Sequence, residues 1–314
     1  DHPNYLGHLG RLGSAEGIEA VRQADTILAV GTRLSQSTTF YDNRFIPEDA
    51  KIIQIEIDPQ EIGRNYPVTV GIEGDAKAVM EGLLEKVRER EPRPNEQWVS
   101  EIGDWNSRRA SRLQDEEKLS GSSIKPQRAY AELRKVMPRD AIIALDAGLA
   151  PNYGQDRLNY YEPRSLITSL DLGGLGFSFP AAIGAKFAAP NRPVINFNGD
   201  GGFLFNAQEF STAVQYNLPV VTVIMNNGIW GSEKAYQRYA FDERYVGADV
   251  VNPRFDKYAE IFGGSGFYVE RPEDIGNAFE EALASGKPSI IEIPTDPDEM
   301  PRPARLAEVQ APTQ

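Results

Sequence analysis

Short apolar runs rich in β-branched residues alternate with amphipathic stretches along nearly all of this 314-residue chain. The runs at 26–30, 52–57, 142–145, 194–197, 220–225 and 289–293 predict strands. Their unbroken apolar character fits parallel sheets, whose strands are buried on both faces. Stretches at 15–24, 76–90, 126–136, 180–188, 207–215 and 272–284 carry apolar positions at helical spacing and predict helices. Alternation of the two predicts an α/β protein with parallel sheets covered by helices.

The rhythm breaks once. Residues 89–123 begin with Glu89-Arg90-Glu91-Pro92-Arg93-Pro94, continue through a polar stretch holding Trp98 and Trp105, and end in Ser120-Gly121-Ser122-Ser123. Two doubly wound parallel-sheet domains are therefore expected, over 1–92 and 124–300. A linker carrying one surface helix (93–123) separates them, and a Pro-rich tail (301–314) follows.

Composition narrows the chemistry. With 33 Lys and Arg against 46 Asp and Glu, the formal charge is −13, which repels nucleic acid and anionic lipid, so neither is expected as a partner. No cysteine is present, which excludes disulfides, thiolate metal sites and cysteine nucleophiles. The two histidines, His2 and His8, lie together near one end, a poor basis for a zinc triad or a Ser-His-Asp hydrolase. No apolar run approaches the roughly 20 residues of a spanning helix. The opening residues resemble no secretory signal. A cytoplasmic protein is the expectation.

The richest chemistry lies between 194 and 230. The run Val194-Ile195-Asn196-Phe197 leads into Asn198-Gly199-Asp200-Gly201-Gly202, with a helix expected from about 206. The next strand ends in Asn226-Asn227-Gly228. Each motif alone is a common turn sequence. Together they put Asp200 and Asn227 at the carboxyl ends of two parallel strands, where open α/β sheets bind their ligands. An Asp carboxylate and an Asn carbonyl are hard oxygen donors suited to Mg²⁺ or Ca²⁺. Mg²⁺ in particular shares its shell with ligand phosphates. Glycines at such a rim let the backbone approach a phosphate closely.

Gly199-Asp200-Gly201 followed by Asn226-Asn227 resembles the signature of the thiamine-diphosphate-dependent enzymes, acetolactate synthases and pyruvate oxidases among them. The resemblance implies thiamine diphosphate and Mg²⁺ as cofactors. Asp200, Asn227 and the Ile229 carbonyl would hold the metal. Gly199, Gly201, Gly202 and Trp230 would lie against the cofactor, although Trp230 fits packing as well. Gly173-Gly174-Leu175-Gly176-Phe177-Ser178-Phe179-Pro180 resembles the stretch that grips the aminopyrimidine ring, with Gly173 offering its carbonyl, Gly174 beside it, and Leu175 wedging the cofactor into a bent shape. Asp146-Ala147-Gly148-Leu149-Ala150-Pro151-Asn152 falls where relatives contact the diphosphate, which singles out Gly148 and Asn152. Acetolactate synthases carry polar side chains where this chain has Leu149 and Ala150, a departure from that subfamily. Residues 24–34, 51–58 and 74–77 are similar to the superfamily's central domain, which binds FAD or a nucleotide in some relatives. FAD is possible here but not favoured, and Gly31-Thr32-Arg33 reads more readily as plain structure.

The stretches Gly7-His8-Leu9-Gly10-Arg11-Leu12-Gly13-Ser14 and Asn227-Gly228-Ile229-Trp230-Gly231-Ser232-Glu233-Lys234 most resemble the sulfoacetaldehyde acetyltransferase subfamily. That implies cleavage of sulfoacetaldehyde and capture of the acetyl group by phosphate. Glu233, six residues past Asn227, is the expected active-site acid, with Lys234 and Gln237 beside it facing an anionic substrate. A solvated helix Glu is the alternative. The family also needs a Glu from a pyrimidine-binding domain. The resemblance therefore implies such a domain on another chain or in a preceding segment, and a homo- or hetero-oligomer. Other enzymes of the same cofactor class, and a non-catalytic nucleotide-binding or regulatory subunit, stay open. A dinucleotide dehydrogenase ranks last, because no Gly-x-Gly-x-x-Gly follows a first strand.

Overall fold

The computed structural model describes residues 1–10, 13–90, 94–169 and 172–300. Arg11 and Leu12 of the first subfamily stretch, residues 91–93 where the expected first domain meets the linker, and the tail at 301–314 lie outside them. The chain forms two compact units, dividing between Ser111 and Arg112.

The first unit contains α1 (Ala15–Gln23), β1 (Thr26–Val30), α2 (Gln36–Thr39), β2 (Lys51–Glu56), β3 (Val70–Glu73), α3 (Ala76–Arg88) and most of α4 (Glu96–Asp115). Its three strands pair in parallel in the order β1-β2-β3. Local chemistry sets the helix starts. The Ser14 hydroxyl accepts from Gly17 N at the head of α1, and the Asp75 carboxylate from Ala78 N at the head of α3. Most of the stretch expected as a linker is α4, a helix of 20 residues, whose Ile102 and Trp105 pack with Ala20 in a small core. The unit boundary falls inside this helix.

The second unit continues with α5 (Pro126–Val136), β4 (Ile142–Leu145), α6 (Leu149–Arg157), β5 (Leu166–Thr168), α7 (Ser178–Ala188), β6 (Val194–Gly199), α8 (Asp200–Leu204), α9 (Phe210–Gln215), β7 (Val220–Asn226), α10 (Gly231–Ala240), α11 (Phe255–Ile261), β8 (Ser265–Tyr268), α12 (Ile275–Ala284) and β9 (Ser289–Pro294). Six parallel strands run in the order β5-β4-β6-β7-β9-β8. Successive side chains along a strand point to opposite faces, and two cores result. Ile143, Leu145, Ile195 and Phe197 pack under Tyr130 and Leu133 of α5 and Phe279 of α12. Ile142, Ala144, Val194 and Ile224 pack under Phe179 of α7, Phe210 of α9 and Phe255 of α11. Helices cover both faces of this sheet, as a doubly wound domain requires.

Three strands that the pattern did not predict, β3, β5 and β8, are all edge strands of three or four residues with partly exposed positions. An edge strand is solvated along one flank, so its sequence need not be a continuous apolar run. No helix among the described residues is long and apolar enough to cross a membrane.

Candidate active site at the carboxyl rim of the second sheet

Strand β4 lies between β5 and β6, so the chain leaves β4 toward one neighbour and returns to the other side. That reversal opens a crevice at the carboxyl ends of β4 and β6, the place where ligands enter such sheets. The residues at this rim are Asp146 after β4, Gly199 and Asp200 at the end of β6, and Asn226-Asn227 at the end of β7.

Asp146 organises one wall. Its carboxylate is buried and accepts from Gly176 N (2.9 Å), Ser178 N (3.2 Å) and Asn198 Nδ2 (2.9 Å). Two of these donors, Gly176 N and Ser178 N, tie the loop at 173–178 to Asp146, the third ties Asp146 to β6, and Asn206 Nδ2 holds the same loop by Gly176 O at 2.8 Å. Burial pushes the Asp146 carboxyl above the usual carboxylate range, against the pull of those donors.

Asp200 forms the floor. Only 2% exposed, it accepts at Oδ2 from Gly228 N (2.9 Å) and Asn252 Nδ2 (2.6 Å). Its carboxyl too is raised by burial, with the same donors opposing. Gly228 lies between Asn227 and Ile229, so Asp200 is hydrogen-bonded to the middle of the loop that holds the other two expected ligands. Asn227 Oδ1 accepts from Ile229 N at 3.3 Å. The helix expected from about 206 is a 3-10 turn at Ala207–Glu209 running into α9, and the short α8, which was not expected, precedes it, starting at Asp200 itself.

The glycines separate into two kinds. Beside Gly201 a Cβ would sit 2.5 Å from the Trp230 ring, and beside Gly202 it would sit 2.5 Å from Asp146 Oδ2. These two are glycines because side chains press on them. Trp230 packs over Gly201 and, edge-on, against Phe205 at 6.0 Å between ring centroids. A Cβ on Gly173, Gly174 or Gly199 would meet nothing within 4 Å, and one on Gly148 only Pro151 and Leu175 at 3.9 and 4.0 Å. Gly148 and Gly173 have φ of +118° and +70°, which glycine adopts freely. Half-buried Leu175 therefore lies beside Gly148. Asn152 sits in the first turn of α6, with its N–H on Gly148 O at 3.3 Å.

Glu233 is exposed in the first turn of α10. Lys234 and Gln237, expected to face a substrate beside it, are engaged with the neighbouring loop instead. Lys234 Nζ pairs with Asp249 at 2.7 Å, and the Gln237 amide exchanges two 3.0 Å hydrogen bonds with the Val246 backbone. Leu149 packs with Ile229, Ala235 and Met300 and touches the Gly231 position, so its apolar character serves the contact between α6 and α10. In the first unit, Gly31-Thr32-Arg33 follows β1; the Thr32 and Arg33 carbonyls accept from the Gln54 and Asn65 amides.

Sequence reasoning assigned no role to Asn252, Asn198, Asn206 or Glu292, and none to Asn226 beyond the motif. Glu292 had a legible signal, a charged residue inside the apolar run Ser289-Ile290-Ile291-Glu292-Ile293. Asn252 had none, since its partner Asp200 is 52 residues away.

The donor set fits a cofactor-borne dication. Among the described residues no group of three or more Asp, Glu, His or Cys side chains is placed to hold a metal ion by itself. One buried carboxylate with neutral oxygens beside it leaves part of a Mg²⁺ shell for phosphate, and open glycine positions leave room for the phosphate to approach.

The chain is similar to known proteins over nearly its whole length. The family model for the thiamine pyrophosphate enzyme C-terminal TPP binding domain matches residues 146–293, and that for the central domain matches 1–83. The chain is 31% identical to a sulfoacetaldehyde acetyltransferase of Castellaniella defragrans, over 98% of this chain and 57% of that protein. It is 35% identical to a probable acetolactate synthase large subunit of Methanocaldococcus jannaschii, over 99% and 54%. With a putative thiamine pyrophosphate-containing protein of Bacillus subtilis it shares 29% identity, over 99% and 52%. The chain thus spans about half the length of the curated relatives it matches.

Proposed function

We propose, from the premise that this chain belongs to the thiamine pyrophosphate enzymes, that it binds thiamine diphosphate through Mg²⁺ and serves an enzyme that cleaves or forms carbon–carbon bonds next to a carbonyl. The observation that carries this reading is Asp200, a buried carboxylate raised by burial and hydrogen-bonded to the loop of Asn227 and Ile229. A dication there would relieve the desolvated charge.

In this reading Asp200, Asn227 and the Ile229 carbonyl hold the metal. Gly148 and Gly199 admit the diphosphate, with Asn152 close to Gly148. Gly173, Gly174 and Leu175 receive the aminopyrimidine ring. Gly201 and Gly202 keep α8 tight against Trp230 and Asp146, so Trp230 supports the floor. When bound, thiamine diphosphate supplies an electron sink beside the carbonyl. Glu233, exposed at the start of α10, is the acid this chain offers to the substrate. A Glu from a pyrimidine-binding domain, in a preceding segment or on another chain, completes the site, and we propose a homo- or hetero-oligomer on that ground. FAD on the central domain has no part in the proposal.

For the reaction we propose that sulfoacetaldehyde and phosphate give acetyl phosphate and sulfite. The 35% identity to an acetolactate synthase supports a second reading, condensation of 2-oxo acids. Sulfite release from sulfoacetaldehyde, set against acetolactate formation from pyruvate, separates them.

Calorimetric titration of the full-length protein with thiamine diphosphate and Mg²⁺, wild type against Asp200→Ala, tests the cofactor reading. Saturable binding by wild type and a loss of about 100-fold or more in the variant is expected, the metal being the main tether of the diphosphate. Absence of binding by wild type overturns it.

A further inference from the structure

We infer that Asn252 is a positioning residue for the cation site, holding the Asp200 carboxylate in one orientation through a buried relay that ends on Glu292; the inference rests on the reading of Asp200 as a cation ligand. The relay runs from Glu292 on β9 through Asn226 at the end of β7 and Asn252 to Asp200 at the start of α8. Glu292, 1% exposed, accepts from Phe255 N (2.7 Å) and Asp256 N (3.3 Å) at the start of α11, and from Asn226 Nδ2 at 2.8 Å. Because the nitrogen end of the Asn226 amide is turned to Glu292, its Oδ1 faces the other way and accepts from Asn252 Nδ2 at 2.9 Å. The same Nδ2 donates to Asp200 Oδ2 at 2.6 Å.

An amide nitrogen has two hydrogens, and here each has one acceptor. The opposite flip would aim the Asn252 oxygen at two acceptors, so the polarity of the relay is set from its Glu292 end. Asn252 Oδ1 is buried without a hydrogen-bond partner among the described residues. A buried polar atom left unsatisfied is uncommon and calls for a reason. That reason is the placement of the residue for its nitrogen end. Its backbone is fixed as well. Val250 N donates to Gly228 O and Trp230 N to Ala248 O, each at 2.8 Å, so the segment before Asn252 is laced to the loop of Asn227 and Ile229. Pro253 follows and restricts the Asn252 backbone to extended conformations. With Gly228 N and Asn252 Nδ2 both on Oδ2, the carboxylate plane is held against rotation.

A fixed carboxylate matters more to one ion than another. Mg²⁺ demands near-ideal octahedral geometry, whereas Ca²⁺ tolerates irregular shells. Loss of Asn252 therefore costs Mg²⁺ affinity more than Ca²⁺ affinity, an effect that a general loosening of the fold would not produce. The test uses the full-length protein with saturating thiamine diphosphate and measures Mg²⁺ and Ca²⁺ dissociation constants for wild type, Asn252→Ala, Asn226→Ala and Asp200→Ala. Expected is a fall in Mg²⁺ affinity of about 10–100-fold for Asn252→Ala, the range for groups that orient metal ligands. The fall for Ca²⁺ should be distinctly smaller, and Asn226→Ala, which keeps the bond to Asp200 but removes its anchor, should show a weaker shift of the same sign. Unchanged Mg²⁺ affinity, or equal losses for both ions, overturns the inference. Should Asn252→Ala fail to fold, the Mg²⁺-to-Ca²⁺ ratio of Asn226→Ala decides between the same two outcomes. If Asp200→Ala binds Mg²⁺ as wild type does, the cation reading itself falls and takes the inference with it.

Discussion

The two parallel sheets place similar loops at their carboxyl ends and treat the polar groups there in opposite ways. Gln54 of β2, whose side chain reaches the loop after β1, is 2% exposed and every end of its amide is used. Nε2 donates to Thr32 O (3.1 Å) and Glu61 O (3.2 Å), and Oε1 accepts from Gly63 N (2.9 Å). Neutral groups meet neutral partners, and the demand is closed within the unit. At the rim of the second sheet, Asp146 and Asp200 are buried carboxyls raised by burial, and Asn252 Oδ1 has no partner among the described residues. A carboxyl whose folded pKa is raised keeps its proton longer in the folded than in the unfolded chain. The associated stability is therefore present at low pH and is lost as pH rises from the ordinary 3.8 through the raised value. Burial opposes the charged form of two carboxyls at the second rim, whereas the Gln54 amide at the first has all its hydrogen bonds met. Shared topology thus does not distinguish scaffold from candidate site; the buried carboxyls do.

The largest expected effect comes from tightening the second rim where it is already full. In Gly202→Ala the new Cβ would lie 2.5 Å from Asp146 Oδ2, an atom that cannot swing away while Gly176 N and Asn198 Nδ2 both hold it at 2.9 Å. A loss of about 3 kcal/mol, the upper end for overpacking, is expected by denaturant unfolding of the cofactor-free protein. A loss below about 1 kcal/mol would mean that Asp146 is mobile and does not organise the 173–178 loop.

How much of this was legible follows from where each interaction lies along the chain. Asp200 and Asn227 were readable because each directly follows a strongly apolar strand, so local sequence alone puts them at the rim. The second sheet was readable for the same reason, its central strands β4, β6 and β7 being almost wholly buried. Asp146 could be read as a rim residue but not as an organiser, because its partners Gly176, Ser178 and Asn198 are 30 to 52 residues away. Glycines that are packed and glycines that face open space look alike in a sequence, and only the positions of Trp230 and Asp146 tell Gly201 and Gly202 from Gly199. The relay through Asn252 was invisible because Val251-Asn252-Pro253 has the composition of any loop.

The next effect is smaller and belongs to the first rim. Gln54→Ala strips a donor from the Thr32 and Glu61 carbonyls and an acceptor from Gly63 N. Leaving such groups unpaired in a buried place is expected to lower stability by about 1–2 kcal/mol. Binding of thiamine diphosphate with Mg²⁺ should stay at the wild-type level by calorimetry. A fall in cofactor affinity as large as that of a second-rim variant would erase the distinction between the two rims.

The smallest change in stability is expected at Gly199, and it carries the sharpest form of the comparison. Gly199 precedes α8 with φ −77° and ψ 160°, a conformation that alanine adopts without strain, and a Cβ there would meet nothing within 4 Å. Replacing a glycine under those conditions narrows the unfolded ensemble and stabilises by about 0.4–1 kcal/mol. Gly199→Ala should therefore leave the cofactor-free protein as stable as wild type or slightly more so. The same Cβ stands in the space reserved, on the proposed reading, for the diphosphate, so cofactor affinity should fall while stability does not. Gly202→Ala, three residues on, should lose stability first and affinity only as a consequence. The pair dissociates two reasons for a glycine, room for a side chain already present and room for a ligand still to come. If Gly199→Ala binds thiamine diphosphate as tightly as wild type, the open space beside Gly199 is not the diphosphate cradle, whatever Asp200 holds.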